Sequence, residues 1–300
     1  MVYTEVQVKG RKRAYYRTIS VRNGDKVGKK RVFLGSDLDE EELHMAEKRA
    51  DSELDPLNGL LTGEDHRRLE RIRKVYRTLP ASTYGNRYES FISSFTHDST
   101  AIEGNTLTLK ETGSLLFDSL SPSSRPMKDI MEVLNHREAL DHILRSECDN
   151  SKELVLELHG MMMKGTLDAG LNDQIGKYRT YQVYIRGTDW MPPSPKDVPR
   201  DMATLLRWYS RNRKRLHPVV VAAYFHVGFE IIHPFVDGNG RVGRLLMDLI
   251  LHREGYPMVN IPNTRKNEYY DHLERGQLDG VLRPFVSFLI ELMEKNKVMI

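Results

Sequence analysis

The chain has 300 residues, 39% hydrophobic and 29% charged, with a formal net charge of +3. That balance suits one large or two modest globular domains and excludes a disordered or collagen-like chain. No apolar run is long enough to span a bilayer, and the single cysteine, Cys148, excludes an intramolecular disulfide and a cysteine-based metal site. The lone thiol and the lack of a signal-peptide core near Met1 fit a reducing cytosol. The charge is uneven. Residues 1–35 carry ten Lys and Arg against Glu5 and Asp25, a surplus of eight, so the remainder is five negative. A basic segment on an acidic body fits an acidic partner or nucleic acid. The plainer reading is an edge strand kept soluble by its cations.

Residues 3–34 alternate β-formers with polar residues, with turn signals at Lys9-Gly10-Arg11-Lys12 and Asn23-Gly24-Asp25. They predict a three-stranded antiparallel meander. From Ser36 the pattern turns helical, to about Leu54, with acids in the first turn. Helices follow at about 65–79 and 85–95, and Thr108-x-x-Glu111 is a capping box opening another, to about Asp118. Pro126 suits the first position of a helix to about Ser146, and a further helix covers 151–165. Residues 171–195, with Gly176, Gly187 and Pro192-Pro193, read as a short β-hairpin. Helices resume at about 198–209, 218–232, 245–252, 265–278 and 281–295. The 218–232 segment is apolar all round except His226 and Glu230, one turn apart, which predicts a central helix with a mutually satisfied buried pair. The fold class is mainly α: a helical bundle core with a β-hairpin flap, preceded by a small antiparallel β-meander and N-terminal helices. The expected divisions are 1–35, 36–84 and 85–300.

The chemistry concentrates between two apolar helices, in His233-Pro234-Phe235-Val236-Asp237-Gly238-Asn239-Gly240-Arg241-Val242-Gly243-Arg244. Pro234 ends the first helix at His233. Glycines and Asn permit turns that aim successive N–H groups at one point, and a helix starting inside the loop adds its dipole. Arg241 and Arg244 share a face of that first turn, where cations oppose the dipole and serve an anion instead. His233 can take a proton from a hydroxyl, and Asp237 is the nearest hard oxygen donor for Mg²⁺. Together they describe transfer of a phosphoryl or nucleotidyl group to a hydroxyl; the residues alone leave open which phosphorus is attacked.

This stretch resembles the signature of Fic-domain proteins, H-P-F-x-D/N-G-N-G-R-x-x-R, at every specified position. The resemblance implies a protein adenylyltransferase, a transferase moving AMP from ATP to a Ser, Thr or Tyr hydroxyl of a target protein and releasing pyrophosphate. It implies His233 as base and Asp237 as Mg²⁺ ligand. Gly238, Asn239 and Gly240 would form the anion hole, with Arg241 and Arg244 on the nucleotide phosphates. Gly176-x-x-Arg179 with Val183 and Ile185 is similar to the family's target-binding flap. Tyr269 and Tyr270 align with residues of the adenine pocket, or are core aromatics of their helix. Gln277 stands where nucleotidyl-transferring relatives often carry Asn. Ser99-Thr100-Ala101-Ile102-Glu103-Gly104 resembles the family's inhibitory pattern, whose Glu pairs with the second signature arginine, here Arg244.

Three readings remain at this point: an auto-inhibited adenylyltransferase; an enzyme removing AMP through Glu103; and a nucleic-acid- or protein-binding regulator working through the basic N-terminal arm. The first implies ATP, Mg²⁺ and a target protein, possibly the chain itself, as partners, with no membrane.

Overall fold

The computed structural model describes residues 2–10, 12–23, 26–54, 57–145, 149–185 and 190–296. Gly24 and Asp25 of the second predicted turn lie outside them, as do Arg11 of the first turn, Ser146, Cys148 and Gly187. Two units are distinguished: residues 1–62 with 215–217, and the rest.

In the first unit, β1 (Val2–Lys9), β2 (Lys12–Asn23) and β3 (Lys26–Ser36) pair antiparallel in the order β1-β2-β3. Tyr3 stands opposite Thr18, Glu5 opposite Tyr16, and Tyr16 opposite Phe33; a bulge falls between Tyr15 and Tyr16. Gly10 takes φ +62° in the first turn. The following helix, α1 (Glu40–Leu54), starts four residues later than expected. Asp39 caps it reciprocally: its carboxylate accepts from Glu42 N–H at 2.8 Å, and its own N–H donates to Glu42 at 3.1 Å. Arg17 ties α1 to the sheet by a two-pronged bond to Asp51, 2.6 and 2.9 Å, and a 3.3 Å contact with Glu47. The sheet therefore turns one face to α1.

The second unit begins with α2 (Gly63–Arg77) and α3 (Tyr84–Ile102). α3 runs about two turns beyond the sequence expectation of Phe95, because Phe91, Ile92, Phe95, Thr96, Ser99 and Ile102 continue one buried stripe. α4 (Leu109–Phe117) opens with the Thr108/Glu111 capping box as read. α5 (Met127–Arg145), α6 (Lys152–Met162) and α7 (Val198–Asn212) follow. Pro126 sits one place before α5 rather than inside it, and its carbonyl accepts from Asp129 and Ile130.

α8 (Pro218–Ile232) is the axis, with eleven of its fifteen residues buried. α7, α9 (Asn239–Arg253), α10 (Lys266–Leu278) and α11 (Arg283–Lys295) pack against it, while α3, α5 and α6 lie on α9. The helix that carries the signature arginines is thus clad on both sides.

Between α6 and α7 the expected hairpin takes another form. Among the described residues of 176–197 no strand ladder forms. Pro192 and Pro193 lack the N–H a ladder needs. The two arms are instead joined by side chains: Arg179 donates to Pro193 O at 2.6 Å and Gln182 to Pro192 O at 2.9 Å.

Phe225 is fully buried on α8 between Tyr209 and the bundle centre. Phe225→Ala should lower unfolding stability by roughly 3–5 kcal/mol, read as a lowered urea midpoint at unchanged slope.

Candidate active site

The turn from α8 to α9 is built by residues that pin its backbone. His233 reverses the chain at φ +48° while its N–H still bonds Phe229 O at 2.9 Å. That left-handed geometry is strained for a non-glycine and must be held from outside. Arg179 holds it: Nε donates to His233 O at 2.8 Å, and its N–H to Pro234 O at 2.9 Å. Phe235 is buried and stacks on the His159 ring, centroids 3.8 Å apart and 5° from parallel. His159 Nδ1 accepts from Gly176 N–H at 2.9 Å, so Nε2 carries the proton and donates to Asp237 O at 3.2 Å. Asn239 folds its amide back on Phe235, accepting from its N–H and donating to its O, both at 2.9 Å. Gly238 takes φ +80°, and a Cβ there would meet Met163 Sδ at 2.6 Å.

The first bond within α9 runs from Val242 N–H to Gly238 O, so the N–H groups of Asn239, Gly240 and Arg241 precede the helical ladder and make a candidate anion cradle at its positive end. Arg241 and Arg244, each 2% exposed, flank it. Although both rise from one helical turn, they are held by different elements. Arg241 meets Glu132 of α5 at 3.1 Å and Asp237 at 3.2 Å. Arg244 donates to Ser99 Oγ at 3.1 Å, Ser99 O at 2.7 Å and Glu103 Oε1 at 2.9 Å. The Glu103 carboxylate lies directly over Gly240, where any Cβ would collide with it and with Arg244. Burial opposes the charge on Arg244, yet Glu103 beside it carries the guanidinium's pKa above its ordinary value.

His233 Nδ1 has no hydrogen-bond partner and stands 3.7 Å from Glu230 Oε2. Burial, and then the charge of Arg179, bring the imidazole pKa down to about 4. Burial, and then the charge of Glu103, push Glu230 up to about 8. At neutral pH His233 is therefore neutral, beside a protonated Glu230 carboxyl. The expected His226–Glu230 pair does not form: His226 Nε2 bonds the Tyr269 hydroxyl at 2.7 Å, and both side chains press on Gly243. The missing Cβ of Gly243 makes room for them, so each residue is turned to α9 rather than to the other.

The structure gathers His233, Asp237, Gly238, Asn239, Gly240, Arg241, Arg244, Glu103 and Ser99 around one cradle. Asp237 is 45% exposed and accepts from Gly238 N–H at 2.5 Å and from Arg241. Asn239 contributes its backbone to the cradle, its side chain being spent on Phe235. Arg179 is a correction: 2% exposed and bonded to backbone carbonyls, it cannot meet a target and clamps the turn instead. Val183 and Ile185 stay half-exposed on the flap. Tyr269 is interior, with Arg244 5.9 Å from its ring centre, while Tyr270 is 40% exposed under Lys266. His159 was not found from sequence, since nothing in its helix marks one histidine as a buried brace. Glu132 of α5 is likewise assigned no role by the sequence, and gains one through its ion pair with Arg241. Among the described residues no cluster of three or more His, Cys, Asp or Glu could hold a metal by itself.

Residues 149–251 match the model of the Fic/DOC family. The crystal structure of a Fic family protein from Desulfovibrio desulfuricans G20 aligns with a TM-score of 0.67 at 30% identity, covering 78% of this chain and 72% of that one. This chain belongs to the Fic family. A Fic domain containing signaling protein from Bacteroides thetaiotaomicron aligns at a TM-score of 0.69 and 27% identity, over 76% of this chain and 93% of its own. Protein adenylyltransferase Fic of Drosophila melanogaster is 36% identical over 244 residues, 77% of this chain and 48% of the relative. The chain thus spans about half the length of the Drosophila Fic proteins it matches.

Burial holds four histidines of this Fic core well below the ordinary imidazole value: His136 and His226 at about 3, His159 and His233 at about 4. Between about pH 4 and 6.5 the unfolded chain binds protons there that the folded chain does not, so stability falls as pH drops. Glu230 and Asp248, with raised pKa values, act in the opposite sense but are fewer. The thermal midpoint should fall between pH 7 and pH 5, and replacing His136 by Gln should make that fall shallower.

Proposed function

We propose that this chain is a protein adenylyltransferase that moves AMP from ATP to a hydroxyl of a target protein, and that Glu103 restrains it. The observation that carries the reading is one cradle with a neutral His233 at its lip and the Glu103 carboxylate, anchored on Arg244, seated where an anion would lie. The name carried by the Drosophila relatives supports the same chemistry.

In this reading His233 takes the proton of the target hydroxyl, whose oxygen attacks the α-phosphorus. The bond to the β-phosphate bridging oxygen breaks and pyrophosphate leaves. The N–H groups at the start of α9 and the two guanidiniums meet the charge that builds on the phosphates. Asp237, a hard and accessible carboxylate at the cradle mouth, fits Mg²⁺ held jointly with phosphates, and that ion would supply further charge neutralisation. Val183 and Ile185 would face the target's segment, and Tyr270 with its neighbour Lys266 would border the base. No helix among the described residues is long and apolar enough to cross a membrane; a cytosolic setting is part of the proposal.

Glu103 and a γ-phosphate would compete for Arg244. Glu103→Gly should therefore raise self-labelling and target labelling from α-labelled ATP roughly 5- to 150-fold, the range of ordinary intramolecular coupling. Arg244→Ala should not activate, and the double variant should behave as Arg244→Ala. If wild type and Glu103→Gly label alike, the restraint reading fails, and loss of AMP from a pre-labelled target by wild type alone would favour removal as the reaction.

The activity of Glu103→Gly should depend on neutral His233. Because its pKa lies near 4, the acidic limb of kcat/KM should sit well below the ordinary histidine range, and His233→Ala should cost about 10²-fold or more. A limb near pH 6.5 would place the proton transfer elsewhere.

A further inference from the structure

The meander carries a pattern that adenylyl transfer does not use. Its register puts Tyr3 of β1, Tyr16 of β2 and Phe33 of β3 on one face, one aromatic ring per strand. Tyr16 and Phe33 have ring centroids 5.3 Å apart. Cations lie between the rings on that same face: Lys29 stands 5.8 Å from the Tyr3 ring centre, Arg31 5.9 Å from that of Tyr16, and Lys12 is exposed at the turn end. The only acid of this face among the described residues is Glu5, 3.6 Å from Arg31. Phe33 is 56% exposed, a large apolar ring left in water on the face where the strand also carries Lys29 and Arg31. The opposite face is the one occupied by α1 through Arg17, Glu47 and Asp51.

Edge solubility explains the cations but not the rings. Lysines that guard an edge need no aromatic partners, and exposed rings on a sheet invite association unless something covers them. An acidic protein would engage the cations alone. Duplex nucleic acid presents phosphates but keeps its base faces stacked inside. A single strand offers both parts: phosphates for the cations and unstacked base faces for the rings.

We propose that this face of the β1–β2–β3 sheet binds single-stranded nucleic acid, with bases stacked on Phe33 and Tyr16 and phosphates paired with Lys12, Lys29 and Arg31. The shared chemistry covers RNA and single-stranded DNA, and the two arms of the experiment separate them.

The test is fluorescence anisotropy with the full chain and labelled oligouridylate, oligothymidylate and duplex DNA of about 15 nucleotides. Single strands should bind, more tightly than the duplex, with affinity falling steeply as salt rises. Phe33→Ala should weaken single-strand binding roughly 5- to 150-fold, the range for one lost base stack, and Phe33→Trp should restore it. Lys12→Glu with Lys29→Glu should weaken binding and flatten the salt dependence. Far-UV circular dichroism of each variant establishes that the sheet is intact; Trp rescue gives the same check through function. Equal binding by Phe33→Ala and wild type would overturn the proposal, reducing the face to a general polyanion attractor. Duplex bound as tightly as single strand, or a polyglutamate peptide competing as well as the oligonucleotide, would overturn it too. None of these readouts involves ATP or His233, so failure here leaves the adenylyltransferase reading untouched.

Discussion

Two guanidiniums buried at the positive end of a helix are the constraint around which the second unit is arranged. Each is expensive to take out of water, and the α9 dipole makes both worse. They persist because carboxylates are brought to them from distant parts of the chain: Glu132 and Asp237 to Arg241, Glu103 to Arg244. α3 and α5 must therefore lie against the start of α9, and the extension of α3 to Ile102 is what delivers Ser99 and Glu103 to Arg244. Glu103 sits at the C-cap of α3, where the helix end disfavours an acid. Arg244 compensates for that. Two residues, each badly placed for its own helix, are well placed for one another.

The turn beside them is over-determined in the same way. A non-glycine at φ +48° keeps that geometry only if its neighbours leave it no alternative. Arg179, His159 and Asn239 each spend a side chain on backbone atoms of residues 233–237. This rigidity puts His233 at the cradle with its pKa lowered by burial and by Arg179. The flap base and the signature turn are one hydrogen-bonded assembly, so a substitution at Arg179 would disturb both.

Glycines act here by absence. Gly240 lets a carboxylate rest on the first turn of α9, and Gly243 admits Glu230 and His226 against the same helix. The interior behind α9 holds further polar groups, with Asp248 accepting from Val259 N–H at 2.7 Å and His136 Nδ1 3.2 Å from Thr96 Oγ1. Such a polar layer behind the cradle is costly unless its members stay neutral, and the depressed histidines and raised carboxyls are that neutrality expressed as pKa.

The sequence by itself determined what depends on local spacing. The central apolar helix, the capping box at Thr108, the meander, and the cradle of residues 233–244 were all legible, because periodicity, turn residues and helix ends are set by neighbours along the chain. The pairing of Glu103 with Arg244 was legible only through family resemblance, since 141 residues separate them. The tertiary structure decided which partner each polar side chain takes. Arg179 faces backbone rather than a target, His226 chooses Tyr269 over Glu230, and the flap arms are joined by side chains because Pro192 and Pro193 cannot donate. His159 gained its role only when α6 was laid beside Phe235. On the sheet, alternation placed Tyr3, Tyr16 and Phe33 in strands, but strand register alone aligned them on one face. Register and long-range pairing are set by which surfaces exclude water together, and no window of local sequence contains that information.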